Sequence, residues 1–197
     1  FKCVNETLME LASDEKYLGA QTGAIIILHT WAQNLSYHPH VHLLVPAGGL
    51  DKTGKWLEIK GDYFIPAKVL STKFKKKFMF FFGEEVKYNK LLSLPKKLEY
   101  LHNDLHLYNF KEDLKSKSWY VYLKEAYSGP EQVIEYLGRY THRVAISNNR
   151  IKKVENEQVT FNYRDSRDNN KIKEMTLDVF EFIRRYLFHI LPKGFMK

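Results

Sequence analysis

The chain has 197 residues, 44% hydrophobic and 27% charged, which is enough for one folded domain with its own core and ordinary for a soluble globular protein. Its formal charge of +8 points to a polyanionic partner, nucleic acid first, although basic enzymes that never touch DNA share such a balance. Cys3 is the only cysteine, which excludes an internal disulfide and a cysteine-based zinc finger within this chain and suits a reducing compartment, the cytosol. No apolar run reaches the roughly 18 residues of a membrane span, and the start lacks the pattern of a signal peptide, so no membrane partner is expected. The chain opens at Phe1 and stops at Lys197 just after a helix-like segment, so it reads as an excerpt of a longer protein, truncated at both ends.

Residues 3 to 17 carry apolar side chains at helical spacing, and Gly19 to Gly23 interrupts them. Residues 24 to 33 and 38 to 46 read as two strands joined by a loop at Asn34 to Tyr37, with a turn following at Ala47-Gly48-Gly49. Asp51-Lys52-Thr53-Gly54 is a further turn, and residues 56 to 59 form the next strand. Helix is expected from Pro66 to about Tyr88, where the lysines of KFKKKFMFFF (73 to 82) either solvate a surface or touch phosphates. A mixed helical stretch at 95 to 116 precedes a strand at 119 to 126, and Pro130 then opens a helix through about Tyr140, with Glu131 near its positive end. VAIS, RIKKVE, QVTFNYRD and KIKEMTL read as short strands with Asn and Asp turns before an amphipathic helix at 178 to 190. The fold class is α+β, an antiparallel sheet with helices packed on it, in a single domain spanning 1–197.

Four of the eight histidines, His29, His38, His40 and His42, fall within fourteen positions. Residues two apart on a strand share a face, so the imidazoles of His40 and His42 can converge on one ion. A turn at 34 to 37 pairs Gln33 with His38, Trp31 with His40 and His29 with His42, which offers Gln33 or His29 as a third ligand. A bare H-x-H also arises by chance and in other metal enzymes, hydrolases and oxygenases among them. In EYLGRYTHR, residues 135 to 143, Tyr136 and Tyr140 stack on one helix face, with Arg139, His142 and Arg143 close by. The plain reading makes them part of a core stripe. The chemical reading makes them phenols that attack a phosphodiester with help from a metal and cations.

At HTWAQNLSYHPHVHLLVPAGGL (29 to 50), YLGRYTHRVAISNNRI (136 to 151) and LPKGF (191 to 195), in that order, the sequence resembles the HUH endonucleases, and among them the rolling-circle insertion-sequence transposases with paired tyrosines. The resemblance implies a transposase that nicks and transfers single-stranded DNA at transposon ends and target through a 5′-phosphotyrosine bond. His40 and His42 would bind a divalent cation, Mg²⁺ or Mn²⁺, and Tyr136 and Tyr140 stand at the positions of the nucleophiles. Gln33 is chosen over His29 as the third ligand because an amide oxygen suits those ions. Arg139 and Arg143 are candidates to clamp phosphates, and His38 is given no catalytic role. The resemblance also implies a bacterial, cytoplasmic protein acting at the nucleoid. The family's cysteine-rich segment and early strand are not visible in the chain. A rolling-circle replication initiator of a plasmid or phage, a non-catalytic DNA-binding remnant, and a metal hydrolase unrelated to DNA remain the competing readings.

Overall fold

The computed structural model describes residues 1–59, 61, 65–88, 94–141 and 145–190, and for 139–141 the backbone alone. These residues fall into two compact units. One combines Phe1–Ala24 with Val45–Ala126, and the other Ile25–Leu44 with Tyr127–Lys197. Helices and small antiparallel sheets occur in both, so the α+β expectation is borne out.

In the first unit, helix α1 (Lys2–Ser13) buries Thr7, Leu8, Leu11 and Ala12. It packs against α2 (Ala67–Tyr88), whose buried residues are Met79, Gly83 and Val86. The lysine run of α2 has internal duties. Lys73 pairs with Glu10 at 2.5 Å, Lys77 with both Glu6 and Glu10, and the Lys75 ammonium donates to the Lys115 and Lys117 carbonyls at 2.8 and 2.9 Å. These three side chains thus have partners within the chain. Asn103 caps helix α3 (Asp104–Ser116) by accepting from the Leu105 and His106 amides. A 3₁₀ helix at Lys96–His102 and α3 then bring Leu101 and Leu107 into one cluster with Val86.

Two sequence expectations need correction in this unit. Gly48 and Gly49, read as a turn, belong to strand β3 (Gly48–Leu50), which pairs antiparallel with β4 (Trp56–Glu58) around the Asp51–Gly54 turn. Glycine is required there by close approach. A Cβ on Gly48 would lie 2.4 Å from the Leu57 carbonyl oxygen, and one on Gly49 would lie 2.5 Å from that of Gln21. Residues 119–126, read as a strand, join no ladder among the described residues. Trp119 is anchored on α2, with its ring 5.2 Å from Phe78 and 5.6 Å from Phe74, while Tyr120 and Tyr122 are 92% and 85% exposed. Trp119, Val121 and Leu123 are half-buried on one side, but a strand also needs a neighbouring strand to pair its backbone groups, and alternation does not supply one.

The second unit contains the histidine hairpin, β1 (Ile25–Trp31) against β2 (Tyr37–Leu44), and a meander of β5 (Ile151–Glu155), β6 (Gln158–Asp165) and β7 (Lys171–Asp178). Asn156 and Glu157 both take positive φ, as the tight turn between β5 and β6 demands, and Asn169 and Asn170 do the same before β7. Phe161 on β6 is fully buried with Leu35, Ala145 and Ile146, and Trp31, Met175, Leu177 and Phe182 pack around them. VAIS contributes Ala145 and Ile146 to this core as irregular chain, not as a strand, and its Val144 lies outside the described residues. Helix α4 (Pro130–Thr141) carries the tyrosines.

Helix α5 (Val179–Leu187) starts at Asp178, whose carboxylate accepts from the Phe180 and Glu181 amides. Asp178→Ala will therefore cost about 1 kcal/mol, the usual worth of an N-cap. A denaturant midpoint lowered at unchanged slope is the signature to look for, and an unshifted midpoint would count against the cap.

Candidate metal and tyrosine site

The hairpin register differs from the expected one. His29 pairs with His40, Ile27 with His42 and Trp31 with Tyr37, with an irregularity between His29 and Trp31. The turn is the cause. It takes up residues 32 to 36, closed by the Ala32 amide donating to the Ser36 carbonyl and the Leu35 amide donating to the Ala32 carbonyl. Leu35 adopts φ 62° at its centre, and the Asn34 side chain accepts from the Ser36 amide. Because the shift is by two residues, parity is preserved and the histidines still share a face.

That face gathers His29, His40 and His42, with ligand-capable atoms all within 4.8 Å of one another. The ring centroids of His29 and His42 lie 4.7 Å apart, and those of His40 and His42 lie 4.8 Å apart. His29 is buried and stacks on Trp31 at 4.8 Å and 15°, which orients its plane. The His40 Nδ1–H donates to the His38 carbonyl at 2.8 Å, so the lone pair of His40 sits on Nε2. Burial, with the adjacent His29 and His40 imidazoles, pushes His42 down from 6.5 to about 4. His42 is therefore neutral at neutral pH, the form a metal ligand must have. The donor set fits a divalent ion that accepts imidazole nitrogen.

The depressed His42 has a consequence for stability. Between pH 6.5 and about 4 the unfolded chain binds a proton that the folded chain refuses, so the contribution is fully present above 6.5, falls as pH drops through this window and levels off below it. Thermal melts in metal-free buffer will show this decline. His42→Gln will flatten it, and an equal decline in both proteins would assign the effect to other groups.

Gln33, the expected third ligand, lies in the turn with an exposed side chain, and its carbonyl accepts from the Arg150 guanidinium. The residue the structure brings beside His40 and His42 is His29. Tyr136 comes to the cluster from α4, with its hydroxyl 3.1 Å from His42 Nδ1 and its ring 5.5 Å from that of Tyr127. Tyr140 and Arg139 follow on α4, but their side chains lie outside the described residues, as does Arg143. Sequence reasoning placed Trp31 on the histidine face without a role, and did not single out Tyr127 or His189, which only their aromatic character could have marked in a chain rich in it.

The family model described as "Putative transposase" matches residues 23–197. The chain is 41% identical over 196 residues to "Putative transposase y4qJ" of Sinorhizobium fredii, covering 99% of this chain and 49% of the relative. It is 26% identical over 198 residues to "Transposase for insertion sequence element IS801" of Pseudomonas savastanoi pv. phaseolicola, covering 96% and 46%. The chain thus spans about half the length of the curated relatives it matches. No solved structure matches it. No helix among the described residues is long and apolar enough to cross a membrane. By the family match over most of its length, the chain belongs to the rolling-circle insertion-sequence transposase family.

Proposed function

We propose that the chain forms the catalytic core of a transposase that cuts single-stranded DNA at the ends of its element and holds the cut strand as a 5′-phosphotyrosine. The observation that carries this reading is the Tyr136 hydroxyl 3.1 Å from His42 Nδ1, at the edge of a three-imidazole cluster. Excess positive charge, +8 over the chain, supports a polyanionic substrate. A divalent ion bound to His29, His40 and His42 would supply Lewis-acid stabilisation of the charge on the scissile phosphate. Three imidazoles favour Mn²⁺ or a softer transition ion over Mg²⁺.

The remaining chemistry belongs to side chains. The Tyr136 oxygen attacks phosphorus in line, its proton passes to solvent, the P–O3′ bond breaks, and the departing O3′ takes up a proton as a 3′-hydroxyl. His42 is too weak a base, at about 4, to take the phenolic proton. Were an ion held by its Nε2, His42 would carry hydrogen on Nδ1 and would donate it to the phenolate as charge develops, lowering the barrier. Tyr140, one turn along α4, would accept a second strand while the first remains attached, and Arg139 and Arg143 would hold backbone phosphates.

The test is incubation of the whole protein with labelled single-stranded DNA from its element's ends and Mn²⁺, followed by a denaturing gel. A protease-sensitive, metal-dependent band of retarded DNA is expected. Its absence with the correct ends would overturn the catalytic reading in favour of a DNA-binding module.

A further inference from the structure

The turn of the histidine hairpin presents three consecutive carbonyls, and each is engaged by a side chain distant in sequence. The Gln33 carbonyl accepts from Arg150 Nη2, and Arg150 Nε also donates to the Asn162 carbonyl on β6 at 2.8 Å. The Asn34 carbonyl accepts from Arg185 Nη1 at 3.4 Å, while Arg185 Nε donates to Glu181 at 2.7 Å within α5. The Leu35 carbonyl accepts from His189 Nε2 at 3.2 Å. Leu35 is fully buried in a left-handed conformation, where an unmet carbonyl would be costly.

His189 does more than fill this acceptor. A carbonyl only accepts, so the proton is on Nε2, and Nδ1 receives the Thr30 hydroxyl at 3.3 Å. The ring, only 5% exposed, lies 5.5 Å from Trp31, and Trp31 stacks in turn on His29 at 4.8 Å and 15°. Thr30 and Trp31 directly follow His29 on β1, so one imidazole grips the turn, the strand and the ring that orients His29.

We infer that His189 is a positioning residue for the histidine cluster. With Arg150 and Arg185 it fixes the turn that sets the hairpin register, and through Trp31 it fixes the plane of the His29 imidazole. The consequence for metal binding rests on the reading proposed above. The consequence for the hairpin does not.

The test uses the whole protein carrying His189→Leu, which keeps bulk and loses both hydrogen bonds, and His189→Gln, whose amide can donate to Leu35 and accept from Thr30. Co²⁺ binding followed by its visible absorption should weaken about tenfold in His189→Leu, as for loss of an outer-shell support, and recover to within about threefold of wild type in His189→Gln. In metal-free protein, amide exchange at Ala32 and Leu35 should quicken about tenfold in His189→Leu, and the His29 ring resonances should shift. Unchanged affinity, exchange and resonances in a folded His189→Leu, or a His189→Gln no better than His189→Leu, would overturn the inference. If wild type binds no Co²⁺, the metal reading fails, and the exchange and ring signals still decide the positioning role. If His189→Leu does not fold, Thr30→Val carries the same measurements. Faster exchange and shifted His29 signals support the inference, and unchanged ones overturn it.

Discussion

Tyr136→Phe will reduce the covalent protein–DNA adduct by on the order of 10³-fold or more while leaving the fold intact, because on the proposed reading the substitution removes the phenol oxygen that forms the first bond. The phenyl ring keeps its packing against Tyr127 and its edge contact with the His42 ring, whose centroid lies 6.2 Å away. Only the hydrogen bond to His42 Nδ1 is lost, which costs about 0.5 to 1.5 kcal/mol of stability. The two effects are thus widely separated and can be read in one preparation, the adduct on a denaturing gel and stability by melting. Tyr140→Phe in the same assay should retain the first adduct, since the proposed first nucleophile is Tyr136, whose hydroxyl meets His42 Nδ1. A full adduct in Tyr136→Phe together with its loss in Tyr140→Phe would reverse the assignment. Adduct in neither single variant would mean that both phenols are needed before the first strand is cut.

The legible parts of this site were those governed by local periodicity. Alternation on a strand puts His40 and His42 on one face whatever their partners, and the helix opened by Pro130 carries Tyr136 to His42. What the sequence could not specify was how many residues the turn consumes. A turn at 34 to 37 sets Gln33 opposite His38, whereas the observed turn begins at Ala32 and sets His29 opposite His40. Its length is decided by tertiary contacts, Leu35 entering the core beside Phe161 and its carbonyl meeting His189 154 residues away. No local pattern encodes such a contact. The same limit explains residues 119–126, which carry a strand-like alternation with no ladder partner among the described residues. The glycines at 48 and 49 misled in the opposite sense, because close approach of Leu57 and Gln21, and not a turn, requires them.

The choice between His29 and Gln33 leads to the second large effect. His29→Ala and His42→Ala will each weaken divalent-ion binding by about 10²- to 10³-fold, whereas Gln33→Ala will change it by less than about threefold. The scale follows from structural zinc sites, where roughly 10 to 16 kcal/mol is shared among four ligands, so one imidazole contributes a few kcal/mol. Gln33 is expected to be neutral because it enters the turn through its main-chain carbonyl, which alanine retains, while its side chain is exposed. His29 offers a ring nitrogen within 4.8 Å of those of His40 and His42 and is held in plane by Trp31. Titration calorimetry with Mn²⁺ measures the three variants directly, and the ion series adds an independent check. A three-imidazole set should bind Co²⁺ more tightly than Mn²⁺ and Mn²⁺ far more tightly than Mg²⁺, whereas a set completed by an amide oxygen would narrow the gap to Mg²⁺. If Gln33→Ala proves as damaging as His42→Ala and His29→Ala does not, the turn must open to bring the amide inward when the ion binds. The hairpin would then have a second register beside the one in which His29 faces His40.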